Sequence, residues 1–239
     1  MGQRLNKFLS AAGVCSRREA DRLIASGKVM LNNQMATLGM NVSEDDIVTV
    51  NGKRINSKEK VVLAFYKPIG VTCTEKDRHA AKIIKDILHY PVRLTYAGRL
   101  DKDSEGLLLM TNDGLLIENM MRGSNEHEKE YFVKVDKEIT DNAIEKLTNG
   151  VRLPELNIQT KPCKIHTIGK YSFHIILTQG VNKQIRRMCA TCGYQVKSIK
   201  RMRVMNIQLA NLKPGEYRSV KEEELKALYA GCGIKMDLS

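Results

Sequence analysis

Acidic side chains alternate immediately before a run of leucines. In the segment GRLDKDSEGLLLMTND, Asp101, Asp103 and Glu105 are each separated by one residue, and Gly106 follows. The order matches the start of a calcium-binding loop, but position 12 of such a loop is Asn112 here, where a bidentate glutamate is needed. The leucines predict a buried strand. A calcium loop is therefore not expected. An aspartate at a strand–turn junction is ordinarily a turn former, so this segment alone gives Asp101 no chemical role.

The other residue types that bind metals do not form a ligand set. Cys189 and Cys192 have CxxC spacing, but tetrahedral zinc needs four ligands and no second cysteine pair is close in sequence. Both cysteines fall in a predicted helix, so we interpret them as small helix residues. His127 and His166 have no obvious ligand partners. The sequence therefore predicts no metal site.

The elements at the start of the chain predict a small, separate helical unit. One face of the first predicted helix carries, at i, i+3, i+4 and i+7 spacing, Leu5, Phe8, Leu9 and Ala12. Gly13 follows as a C′ residue. Ser16 and Glu19 have the spacing of a capping box, which predicts the start of a second helix.

Short strands and tight turns follow these helices. Val29 and Leu31 alternate as in a half-buried strand, and Asn32-Asn33 predicts a turn because asparagine tolerates positive φ. Residues 47–50 predict another strand, which runs into the hairpin signal Asn51-Gly52. The polar residues 57–60 predict a linker. We therefore predict two domains, residues 1–60 and residues 61–239.

The second predicted domain mixes strands with helices without strict alternation. Short β-like runs occur at residues 61–65, 71–74, 107–111, 131–135 and 173–177. Helical patterns occur at residues 79–88, 114–122, 140–149, 182–192 and 221–230. This order favours an α+β fold with a mixed, mainly antiparallel sheet flanked by helices.

The charge of the chain indicates a polyanionic partner. Lys and Arg number 39 against 27 Asp and Glu, which gives a net charge of +12. Residues 156–215 contain no acidic residue but eleven Lys or Arg residues. Such an excess favours nucleic acid over a membrane surface, although a merely solvated basic surface is the alternative. Aromatic residues make up only 5% and Trp is absent, so binding through rows of stacked bases is not expected.

The remaining compositional features predict a cytoplasmic protein without a membrane span. Arg4 and Lys7 interrupt the position of a signal-peptide core, and no long apolar run is present. The six cysteines are scattered, as expected for reduced thiols. The chain lacks a P-loop and a G-x-G-x-x-G motif, so we predict no nucleotide or redox cofactor. We expect a monomer.

The N-terminal stretch RLNKFLSAAGVCSRREADRLIASGKVMLNN resembles the S4 RNA-binding domain. The arginine pair, the capping box and the glycine lie at the places typical of that family, and Asn33 replaces its usual glycine. The resemblance implies that a set of basic side chains faces RNA phosphates: Arg4, Lys7, Arg17, Arg18 and Arg22.

The motifs further along resemble bacterial pseudouridine synthases of the small- and large-subunit ribosomal type. GRLD followed by D-S-x-G-L-L, Tyr66-Lys-Pro-Ile-Gly70, Lys129-Glu-Tyr131 and QGVNKQIRRM all match in order, with Tyr66 in place of asparagine. HEKEY and QGVNKQIRRM are most similar to the F-type enzymes that act on 23S ribosomal RNA. The resemblance implies catalytic roles for Asp101, Tyr131 and Arg186. It further implies contacts with the substrate or RNA by Arg99, Lys67, Lys183, Gln184 and Arg187.

The implied reaction is consistent with these residue types. Isomerisation of uridine breaks the N1–C1′ bond and joins C5 to C1′, so it needs an ionised carboxylate but no redox cofactor. A guanidinium beside a buried aspartate keeps it ionised, and Arg186 is the predicted partner of Asp101. Tyr131 could hold the flipped uracil, and Arg99 could fill the space it vacates. The carboxylate could attack C1′ or C6.

Two alternatives remain at the level of the sequence. A noncatalytic RNA-binding or ribosome-assembly protein could keep the S4 fold, but it would have no need of the GRLD, KEY and QIRR motifs. An RNA glycosidase or nuclease would need a positioned water and normally a second acid or a metal.

Overall fold

The computed structural model describes residues 2–74 and 82–235 and divides the chain into two compact units. The first unit comprises residues 1–62 together with residues 90–95 and 110–115. The second comprises residues 63–89, 96–109 and 116–239. Among the described residues, no helix has both the length and the apolar character that a membrane crossing requires.

The first unit contains two helices and short strands. Its helices are α1 (Leu5–Ala11) and α2 (Arg17–Ala25). Its strands are β1 (Gln3–Arg4), β2 (Val29–Leu31), β3 (Gln34–Met35), β4 (Asn41–Val42), β5 (Val48–Val50) and β6 (Lys53–Ile55). The strand order β3-β2-β5-β6 is antiparallel, and β1 pairs with β4.

Most of the turns and helix ends that the sequence predicts for this unit are confirmed. Gly13 has a φ of +82° after α1, and the Asn51-Gly52 turn has positive φ at both residues. The Ser16 side chain accepts from the amide of Glu19 and caps α2. The reciprocal half of the capping box is not formed between these two described residues, because the Glu19 carboxylate pairs with Arg22 at 3.2 Å.

The core of the first unit comes from the apolar faces predicted by spacing. The two helices pack onto the short sheet around Leu5, Leu9, Ala20, Ile24 and Val29, all of them almost completely buried. Because these residues repeat every three or four positions along the helices, one face of each helix is removed from water. The basic residues between them remain at the surface.

The remaining helices and strands build a larger α+β architecture. The helices are α3 (Gly114–Met121), α4 (Asp141–Asn149), α5 (Gln184–Thr191) and α6 (Glu222–Gly231). The strands are β7 (Val62–Lys67), β8 (Thr95–Ala97), β9 (Glu105–Thr111), β10 (Lys129–Val135), β11 (Arg152–Leu153), β12 (Ile158–Gln159), β13 (Lys164–Gly169), β14 (Ser172–Leu177), β15 (Val196–Val204), β16 (Ile207–Gln208) and β17 (Tyr217–Ser219).

A nine-stranded mixed sheet dominates this architecture. Its main order is β13-β14-β10-β15-β9-β7-β17, with β16 beside β15 and β8 beside β9. The pairs β13–β14, β14–β10 and β10–β15 are antiparallel, whereas β15 and β9 run parallel. The predicted mixed, mainly antiparallel sheet with flanking helices is therefore confirmed.

Several element predictions are corrected. Residues 71–74 do not form a strand; only Thr72 makes an isolated bridge, with Ile83. The predicted helix at residues 79–88 lies partly outside the described residues, and the described part contains only the 3-10 turn Ile84–Asp86. The longest of the described strands, β15, was not predicted, because its apolar residues Val196, Ile199 and Val204 are three and five positions apart and do not show the period of two that predicts a half-buried strand.

Candidate active site

A cleft of about 360 Å³ opens on the large sheet. Its walls come from the loop before β9, from β10 and β15, from the end of α3 and from the loop that leads into α5. It is lined by Asp101, Tyr131, Lys129, Arg201, Gln184 and their neighbours. Residues that are far apart in sequence thus meet at one place, as is typical of a ligand-binding site.

Hydrogen bonds from the Lys67–Gly70 segment hold the loop that carries Asp101. The Lys67 ammonium donates to the carbonyl oxygen of Ser104 at 2.7 Å, and the Gly70 amide donates to that of Lys102 at 2.8 Å. The Ser104 amide closes the turn onto the Asp101 carbonyl at 3.1 Å. The Asp101 side chain itself is half-buried and faces the cleft.

The role predicted for Lys67 is corrected by its environment. Lys67 is 0% exposed, and its ammonium donates to the carbonyl oxygens of Pro68 and Ser104. Burial lowers the pKa of Lys67, and the Arg201 guanidinium also lowers it, while Cys73 and Asp101 act in the opposite direction. An ammonium enclosed in this way supports the Asp101 loop and cannot reach RNA.

Tyr131 and Lys129 lie on the same face of β10 and line the cleft. Tyr131 is half-buried and lies opposite Ile175 of β14 and Arg201 of β15. The Lys129 ammonium donates to the His127 carbonyl at 2.9 Å. Burial lowers the pKa of Lys129, and the nearby Arg201 lowers it further. Lys129 was not singled out by sequence reasoning, which treated it only as part of the KEY motif.

Arg201 is the second cleft residue that the sequence did not reveal. It is only 2% exposed; its Nε donates to the Leu107 carbonyl at 2.7 Å and its Nη1 to the Arg99 carbonyl at 3.3 Å. In the sequence, Arg201 is marked only by its place in residues 196–204, where basic and apolar residues are mixed. Such a mixture is equally typical of a strand at the surface, so it does not indicate a buried cleft residue.

Arg186 does not form the predicted ion pair with Asp101 in the described structure. Its Nη2 donates to the Asp103 carbonyl at 3.0 Å and its Nη1 to the Val196 carbonyl at 3.3 Å. The reason is the orientation of α5, which turns Gln184 and Ile185 toward the cleft and leaves Arg186 outside its lining.

The other residues predicted to contact substrate or RNA lie at the cleft mouth, inside the cleft or outside it. Arg99 and Lys183 are exposed and line the cleft. Gln184 is buried, and its side chain accepts from the Val181 amide at 3.2 Å. Arg187 lies outside the cleft lining, where it pairs with Glu155 at 2.5 Å.

In the first unit, the predicted RNA-facing residues are on the surface or close to it. Arg17, Arg18 and Arg22 on α2 are exposed, and Lys7 on α1 is half-buried. Arg4 is exposed and donates to the Gly39 carbonyl. The structure thus leaves the α2 arginines accessible to a polyanion.

Acidic side chains from elsewhere neutralise part of the basic segment 156–215. The segment contributes the cation to ion pairs with acidic residues of other segments: Lys161–Glu126, Lys164–Glu128, Arg203–Glu128, Arg203–Glu130 and Lys170–Glu138. The uninterrupted run of positive charge in the sequence therefore overstates the positive charge of the folded surface.

The cysteines of the CxxC pair lie on α5 and at its C-terminal end. Cys189 is buried, and burial raises the pKa of its thiol to about 12. In the part of the chain that the structure describes, no group of three or more His, Cys, Asp or Glu residues is placed to hold a metal ion. His127 is buried, its Nε2 lies 3.3 Å from the Asn119 carbonyl, and burial lowers its pKa.

Two family models match the chain, one over most of the part that carries the cleft and one over the N-terminal helices. The family model for RNA pseudouridylate synthase matches residues 61–191, and the S4 domain model matches residues 3–48. The chain belongs to the RNA pseudouridine synthase family and carries an S4 domain.

The chain is similar to individual members of this family. The chain is 44% identical over 229 residues to the dual-specificity RNA pseudouridine synthase RluF of Escherichia coli K12, covering 95% of this chain and 78% of the relative. It is 35% identical over 234 residues to the ribosomal large subunit pseudouridine synthase B of Bacillus subtilis, covering 95% and 96%. A crystal structure of a pseudouridylate synthase superposes with a TM-score of 0.70 at 26% identity, covering 95% of this chain and 99% of that one.

Proposed function

We propose that this pseudouridine synthase modifies a specific uridine of 23S ribosomal RNA, with Asp101 as its catalytic carboxylate. The observation that carries the proposal is the half-buried Asp101 side chain on a cleft that also holds Tyr131. Relatives named for the large ribosomal subunit support this target. We further propose that the protein acts as a monomer in the cytoplasm and without a cofactor.

The chemistry requires little beyond a positioned carboxylate. The N1–C1′ bond breaks, the uracil rotates, and the C5–C1′ bond forms. The C5 hydrogen leaves as a proton and N1 gains one, so atoms and electrons balance without an oxidant. In this proposal the Asp101 carboxylate acts at C1′ or at C6, either by adding to that carbon or by stabilising a positively charged sugar.

The cleft suits a single nucleoside. Its volume of about 360 Å³ lies at the lower end of ligand-binding sites, so one base and its ribose are a better fit than a stacked strand. The uridine must therefore leave its stack before reaction. The Tyr131 ring would hold the flipped uracil, and its hydroxyl could move a proton. Arg99, exposed at the mouth, would occupy the vacated space.

The first sixty residues would provide a separate RNA contact. We assign residues 1–60 to RNA binding and residues 61–239 to catalysis. Arg17 and Arg18 at the start of α2 are exposed and support this assignment. At the cleft, Lys183 would contact the RNA backbone near the flipped nucleotide, while Gln184 would contact the substrate within the cleft.

Tritium release from RNA with 5-tritiated uridine tests the role of Asp101, because C5–C1′ bond formation expels the C5 hydrogen. We expect Asp101→Asn to lower the release rate at least about a thousandfold, as for loss of a reacting group in other enzymes. RNA affinity should stay within a few-fold.

Asp103→Asn is the matched control, since Asp103 is exposed and outside the cleft lining, and it should react at close to the wild-type rate. Release by Asp101→Asn at the wild-type rate would overturn the assignment. Transcripts of 23S, 16S and transfer RNA compared in the same assay test the target.

A further inference from the structure

One exposed apolar side chain lies at the mouth of the cleft. Met121, the last residue of α3, is 55% exposed and lines the cleft. Among the exposed large apolar residues in the described part of the chain, it is the only one in the cleft lining. A single exposed apolar residue elsewhere on a surface needs no explanation, but one in a substrate cleft is removed from water when the substrate binds.

The end of α3 holds Met121 in a fixed place. Met120, the residue before it, is buried, so the helix is anchored one position away. The carbonyl oxygen of Asn119 accepts from the Arg122 amide at 3.4 Å and from the Asn125 side chain at 3.0 Å. The segment after the helix therefore folds back onto the helix end, and the Met121 side chain projects from a supported position.

The Met121 side chain lies against the backbone just before Arg99. Gly98 has a φ of +86°, and a Cβ there would lie 3.5 Å from the Met121 Sδ, so the sulphur is within van der Waals range of this backbone. Arg99 itself is exposed and lines the cleft. The apolar side chain is therefore next to the loop that carries the guanidinium proposed to fill the space left by the flipped uracil.

The surroundings of Met121 match the chemistry of RNA. The described residues that line the cleft include a single Asp or Glu, which is Asp101, and five Lys or Arg residues: Arg99, Arg122, Lys129, Lys183 and Arg201. Such an excess of cations attracts a phosphate backbone, which would bring the bases of the RNA to the mouth. An apolar thioether at this place suits a nucleobase, because every base has a face that can stack.

We propose that Met121 stacks on the RNA base next to the target uridine once the uracil has left the stack. The inference rests on the proposed function and adds a base-binding position to it. When the uridine flips out, its neighbours lose a stacking partner, which makes flipping costly. The methionine thioether is polarisable and makes favourable contacts with aromatic rings, so it covers the exposed base and lowers this cost. Met121 is thus a positioning residue that favours the flipped state without touching the reacting atoms.

Tritium release from three RNAs tests this contact. Each is a short transcript of 23S ribosomal RNA with the uridine that the wild-type protein modifies, tritiated at C5. One is intact, and the others have an abasic residue on the 5′ or on the 3′ side of that uridine. On the intact RNA, we expect Met121→Ala to lower the single-turnover rate at saturating RNA about two- to tenfold, the range of sulphur–aromatic contacts. On one of the abasic RNAs, the variant and the wild type should react at equal rates, because the base that Met121 contacts is missing.

Two further substitutions separate the apolar contact from the length of the side chain. Met121→Leu keeps an apolar side chain and should retain most of the wild-type rate on intact RNA. Met121→Gln keeps an unbranched side chain but adds a polar amide, so it should be as slow as Met121→Ala. Ile168→Ala is the matched control, because Ile168 on β13 is 61% exposed and lies outside the cleft lining. It should react like the wild type on every RNA.

The proposal is overturned if Met121→Ala slows the intact RNA and both abasic RNAs by the same factor, since Met121 would then act through the protein and not through a neighbouring base. It is also overturned if Met121→Ala or Met121→Gln reacts with intact RNA at the wild-type rate. Failure of the proposed function gives a different result, because the wild-type protein would then release no tritium from 23S ribosomal RNA.

Discussion

A network of charged side chains lies on the sheet face opposite the cleft. Arg203 donates to Glu128 and to Glu130, each at 3.0 Å, and His174 lies 2.7 Å from Glu130. Hydrogen bonds from Arg203 and then Lys164 lower the pKa of Glu128. At Glu130, burial raises the pKa, but hydrogen bonds from His174 and Arg203 outweigh it and the pKa is lowered.

The lowered carboxyl pKa values give this network a defined pH dependence. Their contribution to stability is present above the ordinary glutamate pKa of 4.5 and is lost as pH falls through the lower folded-state values. We therefore expect Arg203→Met to lower Tm most above pH 4.5, with a smaller difference from wild type at more acidic pH.

Thermal denaturation between pH 3 and pH 7, a range of about four units, measures this dependence. Lys134→Gln is the control. The Lys134 ammonium lies over an aromatic ring, 5.7 Å from the centre of Phe132, and an aromatic ring does not titrate. The effect of this substitution on Tm should therefore not change between about pH 3 and pH 7. A constant Tm difference for Arg203→Met across the range would show that the carboxylates contribute nothing through this residue.

At the level of elements, the close approach of β9 and β15 depends on one glycine. Gly106 has a φ of +106°, and a Cβ there would lie 2.3 Å from the Arg201 carbonyl oxygen. Both the backbone conformation and the missing side chain are therefore required where the strand after Asp101 meets the strand of Arg201.

We expect Gly106→Ala to lower the free energy of unfolding by about 3 kcal/mol or more, from strain and overlap with a neighbouring backbone. Urea denaturation measures the change. Gly169→Ala on β13 is the matched control, since its Cβ would meet only the Ser172 hydroxyl, at 3.7 Å, and its effect should be small. Equal effects of the two substitutions would contradict this explanation.

The sequence predicted elements whose signals are local and missed those that depend on pairing. The α2 cap at Ser16 and the Asn51-Gly52 turn were predicted correctly, because each is determined by neighbouring residues. Opposite Tyr131, β15 has a bulge in which Met202 is an extra residue, and this bulge depends on the register between two distant strands. Alternation alone would put Arg201 and Arg203 on one face, so the cleft guanidinium could not be identified. The direction of Arg186 likewise depends on how α5 packs.

At the scale of the whole molecule, exposed cations in the first unit predict a salt-dependent contribution to RNA binding. Replacing Arg17 and Arg18 together by Gln should reduce the slope of log K against log salt by about one to two units, because fewer counterions are released. The rate at saturating RNA should be unchanged, since neither residue lines the cleft.

Filter binding at several salt concentrations measures the slope. The control replaces Lys53 and Arg54 on β6 by Gln, which removes the same charge from exposed positions of the same unit. If both double variants reduce the slope equally, the α2 arginines act only through net charge and make no specific phosphate contact.

The register of β15 limits how this gene can change. Tyr131 lies opposite Arg201 and Glu130 opposite Arg203, so Met202 is an extra residue whose deletion would leave both pairs in place. Deleting a paired residue such as Lys200 would instead move all the side chains on one side of it to the other face of the sheet. Among descendants of this chain, β15 should therefore accumulate substitutions at exposed positions such as Lys197, while its paired residues should not be deleted.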